Sequence, residues 1–135
     1  MLRQSSATMK SLPAILAALL ASAVASPALT APQIPQIYGA DGTFLGLLTP
    51  ARISTDSFCH QYGNYGSQYS TVSIFNQYGV YGGKYSDTGA YNPTATNPPL
   101  VVRGGQVIGI ISKNPNIGGA ERSDPDALRI YVCRM

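Results

Sequence analysis

The chain has no tryptophan, one histidine, two cysteines and six acidic residues among 135 positions. Each scarcity closes a route. His60 with two cysteines cannot supply a structural zinc site or a paired-histidine metal pattern. A glycosidase needs two facing carboxylates, and spacing assigns no two of Asp41, Asp56, Asp87, Glu121, Asp124 and Asp126 to one cleft. Glu121, Asp124 and Asp126 could hold a weak calcium ion, against the ordinary reading of a solvated acidic loop. Gly82-Gly83-Lys84 lacks the upstream glycine spacing and preceding strand of a phosphate loop. A Cys59-His60 nucleophile pair is disfavoured because adjacent strand residues point to opposite faces, and no second histidine is present to act as base.

Long apolar runs are also missing. The longest covers 12–20 and contains Pro13; at about ten residues it is too short to span a bilayer. Its flanks, basic Arg3 and Lys10 before it and Ala23-Val24-Ala25 after it, read as a secretory signal peptide over 1–25. Cleavage there removes two of nine basic residues, so the net charge falls from +3 to near +1. A near-neutral chain without a clustered basic face is not expected to bind nucleic acid, and no transmembrane segment is left after cleavage. Residues 26–36 form a Pro-spaced linker, and 37–135 a single small domain.

What the sequence has is tyrosine and glycine in register. Gln61-Tyr62-Gly63-Asn64-Tyr65-Gly66-Ser67-Gln68-Tyr69-Ser70 returns sixteen residues later as Gln77-Tyr78-Gly79-Val80-Tyr81-Gly82-Gly83-Lys84-Tyr85-Ser86. Cys59-His60, Phe75-Asn76 and Tyr91-Asn92 occupy equivalent places, so the insert runs over 60–92 with partial flanks. Glycine every third residue penalises a helix and interrupts a strand, so tight turns are expected. Ser70 and Asn76 suit the ends of one short helical or 3₁₀ turn between the Tyr-Gly blocks. The tyrosines admit two readings: an aromatic core or sheath for a small domain, or an exposed platform that stacks on sugar rings or peptide.

On either side of the insert stands a hairpin signal. Asp41-Gly42 and Gly104-Gly105 each separate two apolar runs, and Gly46 and Gly109 fall at matching places in the second strands, where a bulge or close crossing is expected. The two hairpins should pack on each other. Residues 127–133 alternate apolar and polar and read as a final strand. The fold class is therefore mainly β: two similar hairpins plus a C-terminal strand in a small sandwich or open barrel, with the Tyr/Gly turn-and-short-helix repeat packed on one side. In an exported chain the lone pair Cys59 and Cys133 reads as a disulfide. Cys59 takes a place held by aromatics in the other copies, which implies that it points inward.

The string Asn-x-Tyr-Gly-x-Tyr-Gly-x-x-Tyr-Ser, ending in Asn-Pro-x-Ala-x-Asn-Pro-Pro, resembles an uncharacterised family of small secreted bacterial proteins over about residues 37–111. Cys59, where the pattern has an aromatic or aliphatic residue, and Thr94, where it has Tyr, depart from it. The resemblance implies secretion and brings no activity, cofactor or catalytic residue. The expected function is an exported, secreted or periplasmic, non-enzymatic module of the cell envelope, binding or structural. Its candidate surface is Tyr62, Tyr65, Tyr69, Tyr78, Tyr81 and Tyr85, and its expected partner an envelope polysaccharide or protein. No cofactor and no metal are expected. The alternatives are a small hydrolase, which needs His60 within reach of a Ser or Asp in a cleft, and a self-associating structural protein.

Overall fold

The computed structural model describes residues 33–135. The signal peptide assigned to 1–25 and linker positions 26–32 lie outside the described residues. Gln36, assigned to the linker, is already a strand residue. Five strands are formed: β1 (Gln36–Tyr38), β2 (Phe44–Leu47), β3 (Leu100–Arg103), β4 (Gln106–Ile111) and β5 (Arg122–Ser123). They build one open sheet in the order β2-β1-β3-β4-β5. All neighbours are antiparallel except β4 and β5, which run parallel. The mainly β class is observed.

Both hairpins are present. Gly42 turns at φ 88° and Gly104-Gly105 at φ 61° and 80°, a region that glycine enters without strain. Both second strands carry the expected extra residue. Gln36 faces Leu47 while Tyr38 faces Phe44, so β2 takes three steps against two. Val101 faces Gly109 while Val102 faces Val107, which leaves Ile108 over. Gly46 is required where it stands: its φ is +116° and an added Cβ would lie 2.7 Å from the Tyr65 Cβ.

The hairpins do not pack on each other as expected. They join edge to edge, Ile37 opposite Val101, into a single sheet. The second layer of the expected sandwich is the Tyr/Gly segment itself. Ile37, Leu45, Val101 and Ile111 from the sheet share a core with Phe58, Ile74 and Ala90 from that segment. The sheet needs no second sheet because the turns bury its face.

The Tyr/Gly segment contains no helix, a second correction. It is a run of four-residue turns, each starting three residues after the last, in a pattern that repeats every sixteen residues. Ser57, Ser73 and Gly89 donate their N–H to the carbonyls of Ser54, Ser70 and Ser86. His60, Asn76 and Asn92 donate to those of Ser57, Ser73 and Gly89. Gly63, Gly79 and Ala95 donate to those of His60, Asn76 and Asn92. Side chains take the bonds a helix would have closed. Ser57 Oγ accepts the Cys59 N–H and Ser73 Oγ the Phe75 N–H, at 3.0 and 3.1 Å. Short hydroxyls that bond their own backbone two residues on favour turns over helix. The glycines permit the stacking: a Cβ on Gly66 would lie 2.8 Å from the Phe58 carbonyl oxygen, and one on Gly82 2.6 Å from that of Ile74.

The C-terminal strand is the third correction. Pro125–Cys133 is an α-helix, here α1. Asp124 caps it, accepting the N–H groups of Asp126 and Ala127 at 2.8 and 3.3 Å. Pro125 supplies a fixed φ at the helix start. Seven alternating residues fit a strand as well as a helix, and the cap decides between them. Ile130, expected on the buried face with Leu128 and Val132, is 57% exposed.

Cys59 and Cys133 form the expected disulfide, with both residues buried and their Cα atoms 5.3 Å apart. It is one of three contacts in a column. Arg129 lies over the Phe75 ring at 4.0 Å and donates to the Gly66 carbonyl at 3.2 Å. The Tyr91 hydroxyl donates to Asp126 Oδ1 at 2.7 Å. Cys133, Arg129 and Asp126 thus meet Cys59, Phe75 and Tyr91, one equivalent position in each of three turn units. Arg52, just before the first unit, donates to the Cys133 and Arg134 carbonyls at 2.8 Å each and closes the helix end.

Candidate binding face

The six candidate tyrosines divide into two sets. Tyr65 and Tyr81 are half-buried and hold the turn units to the first hairpin. Tyr65 meets the Phe44 ring edge-on at 5.0 Å. The Tyr81 hydroxyl bonds Asp41 Oδ2 at 2.7 Å and Thr43 Oγ1 at 2.9 Å. Its hydrogen bond holds the Asp41 carboxyl below the ordinary carboxylate range, aided by the Thr43 N–H.

Tyr62, Tyr69, Tyr78 and Tyr85 point outward, at 88%, 86%, 99% and 97% exposure. They are two equivalent pairs, Tyr62 with Tyr78 and Tyr69 with Tyr85. The backbones of two are pinned: Ser67 Oγ accepts the Tyr69 N–H and Asn76 Oδ1 accepts the Tyr78 N–H, each at 3.0 Å. Exposed rings on fixed backbone present apolar area with little left to order.

Between Tyr69 and Tyr78 runs a groove of about 370 Å³, lined also by Gln68, Phe75, Asn76 and Gln77. Its lining carries no carboxylate, imidazole, ammonium or guanidinium. A second groove, of about 230 Å³, is lined by Arg52, Ile53, Cys59, His60, Gln61 and Tyr62, with Met135 at one side. Position by position, the first six are the residues sixteen before Gln68, Tyr69, Phe75, Asn76, Gln77 and Tyr78. The two grooves are thus lined by equivalent positions one repeat apart. Sequence reasoning singled out the tyrosines and missed Gln68, Gln77, Arg52 and Ile53 as their neighbours. The sixteen-residue offset was the signal that could have found them.

The groove beside His60 brings it no Ser or Asp. The acidic residues near the C-terminus are committed to structure. Lys113 Nζ lies 2.9 Å from Asp124 Oδ2 and 2.7 Å from Asp126 Oδ2. Partial burial raises both carboxyls, but the Lys113 ammonium and the hydrogen bonds prevail, and both end below the ordinary value. Burial lowers Lys113, yet the two carboxylates leave it raised. Burial, then the bond to Asp126, pushes the Tyr91 phenol up. Among the described residues no three His, Cys, Asp or Glu side chains gather as a metal site. Among the same residues no helix is long and apolar enough to cross a membrane.

Comparison with known protein families, with curated proteins and with solved structures finds no match to this chain.

Proposed function

We propose that this protein is an exported, non-enzymatic module of the cell envelope, secreted or periplasmic, that binds a glycan or peptide through its outward tyrosines. The observation that carries the reading is the set Tyr62, Tyr69, Tyr78 and Tyr85, four rings left almost wholly in water. Folding gains nothing from that exposure, and two of the rings, Tyr69 and Tyr78, flank one groove. The disulfide supports an oxidising compartment, in keeping with the leader-like start of the sequence. A binding rather than hydrolytic role is supported by His60, whose groove offers it no Ser or Asp, and by acids engaged as cap, ion pair and turn anchor.

The test is retention of the purified domain on insoluble envelope polysaccharide and on immobilised envelope extract. Retention that falls in a Tyr62→Ala/Tyr69→Ala/Tyr78→Ala/Tyr85→Ala variant, with the thermal midpoint unchanged, supports the reading. No retention on either material refutes it.

A further inference from the structure

The two grooves differ from an ordinary aromatic patch because they recur with the fold. α1 measures their spacing. Cys133, Arg129 and Asp126 contact successive turn units, and seven helix residues rise about 10.5 Å, so one unit advances about 5 Å. Equivalent side chains on stacked units repeat at that step, Tyr62 with Tyr78 and Gln61 with Gln77.

We propose that the Arg52-to-Tyr62 and Gln68-to-Tyr78 grooves are successive subsites for one linear glycan of uncharged pyranose rings laid across the turn units. The inference rests on the binding role proposed above and names its ligand class. Three observations select a glycan. Tyr69 and Tyr78 offer ring faces to the C–H face of a sugar, while Gln68 and Gln77 each offer an amide donor and an acceptor to hydroxyls that both donate and accept. The larger groove carries no charged side chain, so an ionic ligand finds nothing there to pair with. In the smaller one Arg52 Nη2 is held by the carbonyls of Cys133 and Arg134. An extended peptide is a poor match, since its same-face side chains repeat at about 6.6–6.8 Å and the lining is turn rather than a free strand edge.

The experiment titrates the disulfide-intact domain with cello- and chito-oligosaccharides of one to six sugars, followed by amide NMR and calorimetry. Saturable binding is expected, tightening with length until both grooves are spanned and then levelling. Tyr78→Ala should weaken it about tenfold, the scale of one aromatic stacking contact. Tyr62→Ala should weaken only the longer oligomers, and both variants keep the wild-type thermal midpoint. Absence of saturable binding, or binding indifferent to both substitutions, overturns the inference. Retention on envelope material that depends on the tyrosines but is competed by envelope peptides and not by these sugars also overturns it, and leaves the broader binding role standing.

Discussion

Replacing both cysteines with alanine, Cys59→Ala/Cys133→Ala, should cost a large share of the domain's stability. The bond closes a loop across a sequence separation of 74. On the chain-entropy model that constraint is worth about 4.5 kcal/mol, an upper figure because unfolded chains retain structure. A domain of this size has about 5–15 kcal/mol in all. The loss should also be uneven. α1 keeps the Arg129 contacts, the Tyr91 bond and the Arg52 cap, but these are single non-covalent contacts of about 1 kcal/mol each. Urea unfolding should show a midpoint lowered by more than 1 M at the usual slope of about 1–3 kcal/mol per molar. Native-state hydrogen exchange should show the amides of residues 129–132 losing protection before those of β3 and β4. An unchanged midpoint would refute the staple. So would helix protection that falls only together with the sheet, because α1 would then be held by the other contacts.

Gly82→Ala should destabilise by about 2 kcal/mol or more, since its Cβ would meet the Ile74 carbonyl oxygen at 2.6 Å, whereas Gly118→Ala, with open space around it, should be near neutral in the same thermal melts. Stability should have a plateau bounded by the Lys113 network. Asp124 and Asp126 are lowered from 3.8, so their contribution is present above that value and lost as pH falls below it. Lys113 is raised from 10.5 and Tyr91 from 10.0, so theirs is present below those values and lost as pH rises past them. Lys113→Met should flatten the acid limb at a cost of about 1 kcal/mol or less at neutral pH, read from denaturant midpoints across pH. Tyr81→Phe should raise the Asp41 titration midpoint towards the ordinary value in carboxyl NMR, because it removes the hydroxyl that bonds the carboxylate.

Short-range rules read some parts of this fold and missed others for identifiable reasons. Asp41-Gly42 and Gly104-Gly105 specify hairpins by local chemistry, and Gly46 and Gly109 mark their bulges. Cys59 declared itself inward by standing in the place of Phe75 and Tyr91. Ser70 was read as a helix cap; its hydroxyl does accept a backbone N–H, that of Val72 at 3.2 Å, but the same side-chain-to-backbone bond serves a turn when glycine prevents the next turn of helix. Asp124-Pro125-Asp126 was read as loop although it is a helix start, because the alternation after it was given more weight than the cap. The edge-to-edge meeting of the hairpins depends on what covers their faces, which no local signal carries. Exposure was likewise hidden: Tyr62 and Tyr65 each stand between a side-chain amide and a glycine, and only the nearby Phe44 separates a packing ring from a free one.

The fit between α1 and the turn units explains why a helix, and not the expected strand, ends the chain. Side chains of a strand on one face recur every 6.6–6.8 Å, too wide a step for units about 5 Å apart, whereas one helical turn rises 5.4 Å. Positions three or four residues apart on a helix therefore fall level with consecutive units. Each level is met by a different chemistry: sulfur to sulfur at Cys59, guanidinium on ring at Phe75, phenol to carboxylate at Tyr91. Three unlike contacts admit one register. Sliding α1 by a unit would set Arg129 against Cys59 and Asp126 against Phe75, giving up the disulfide, the guanidinium-on-ring contact and the Tyr91 bond together. With the inward column locked in this way, the backbone that carries Tyr62, Tyr69 and Tyr78 is fixed from behind.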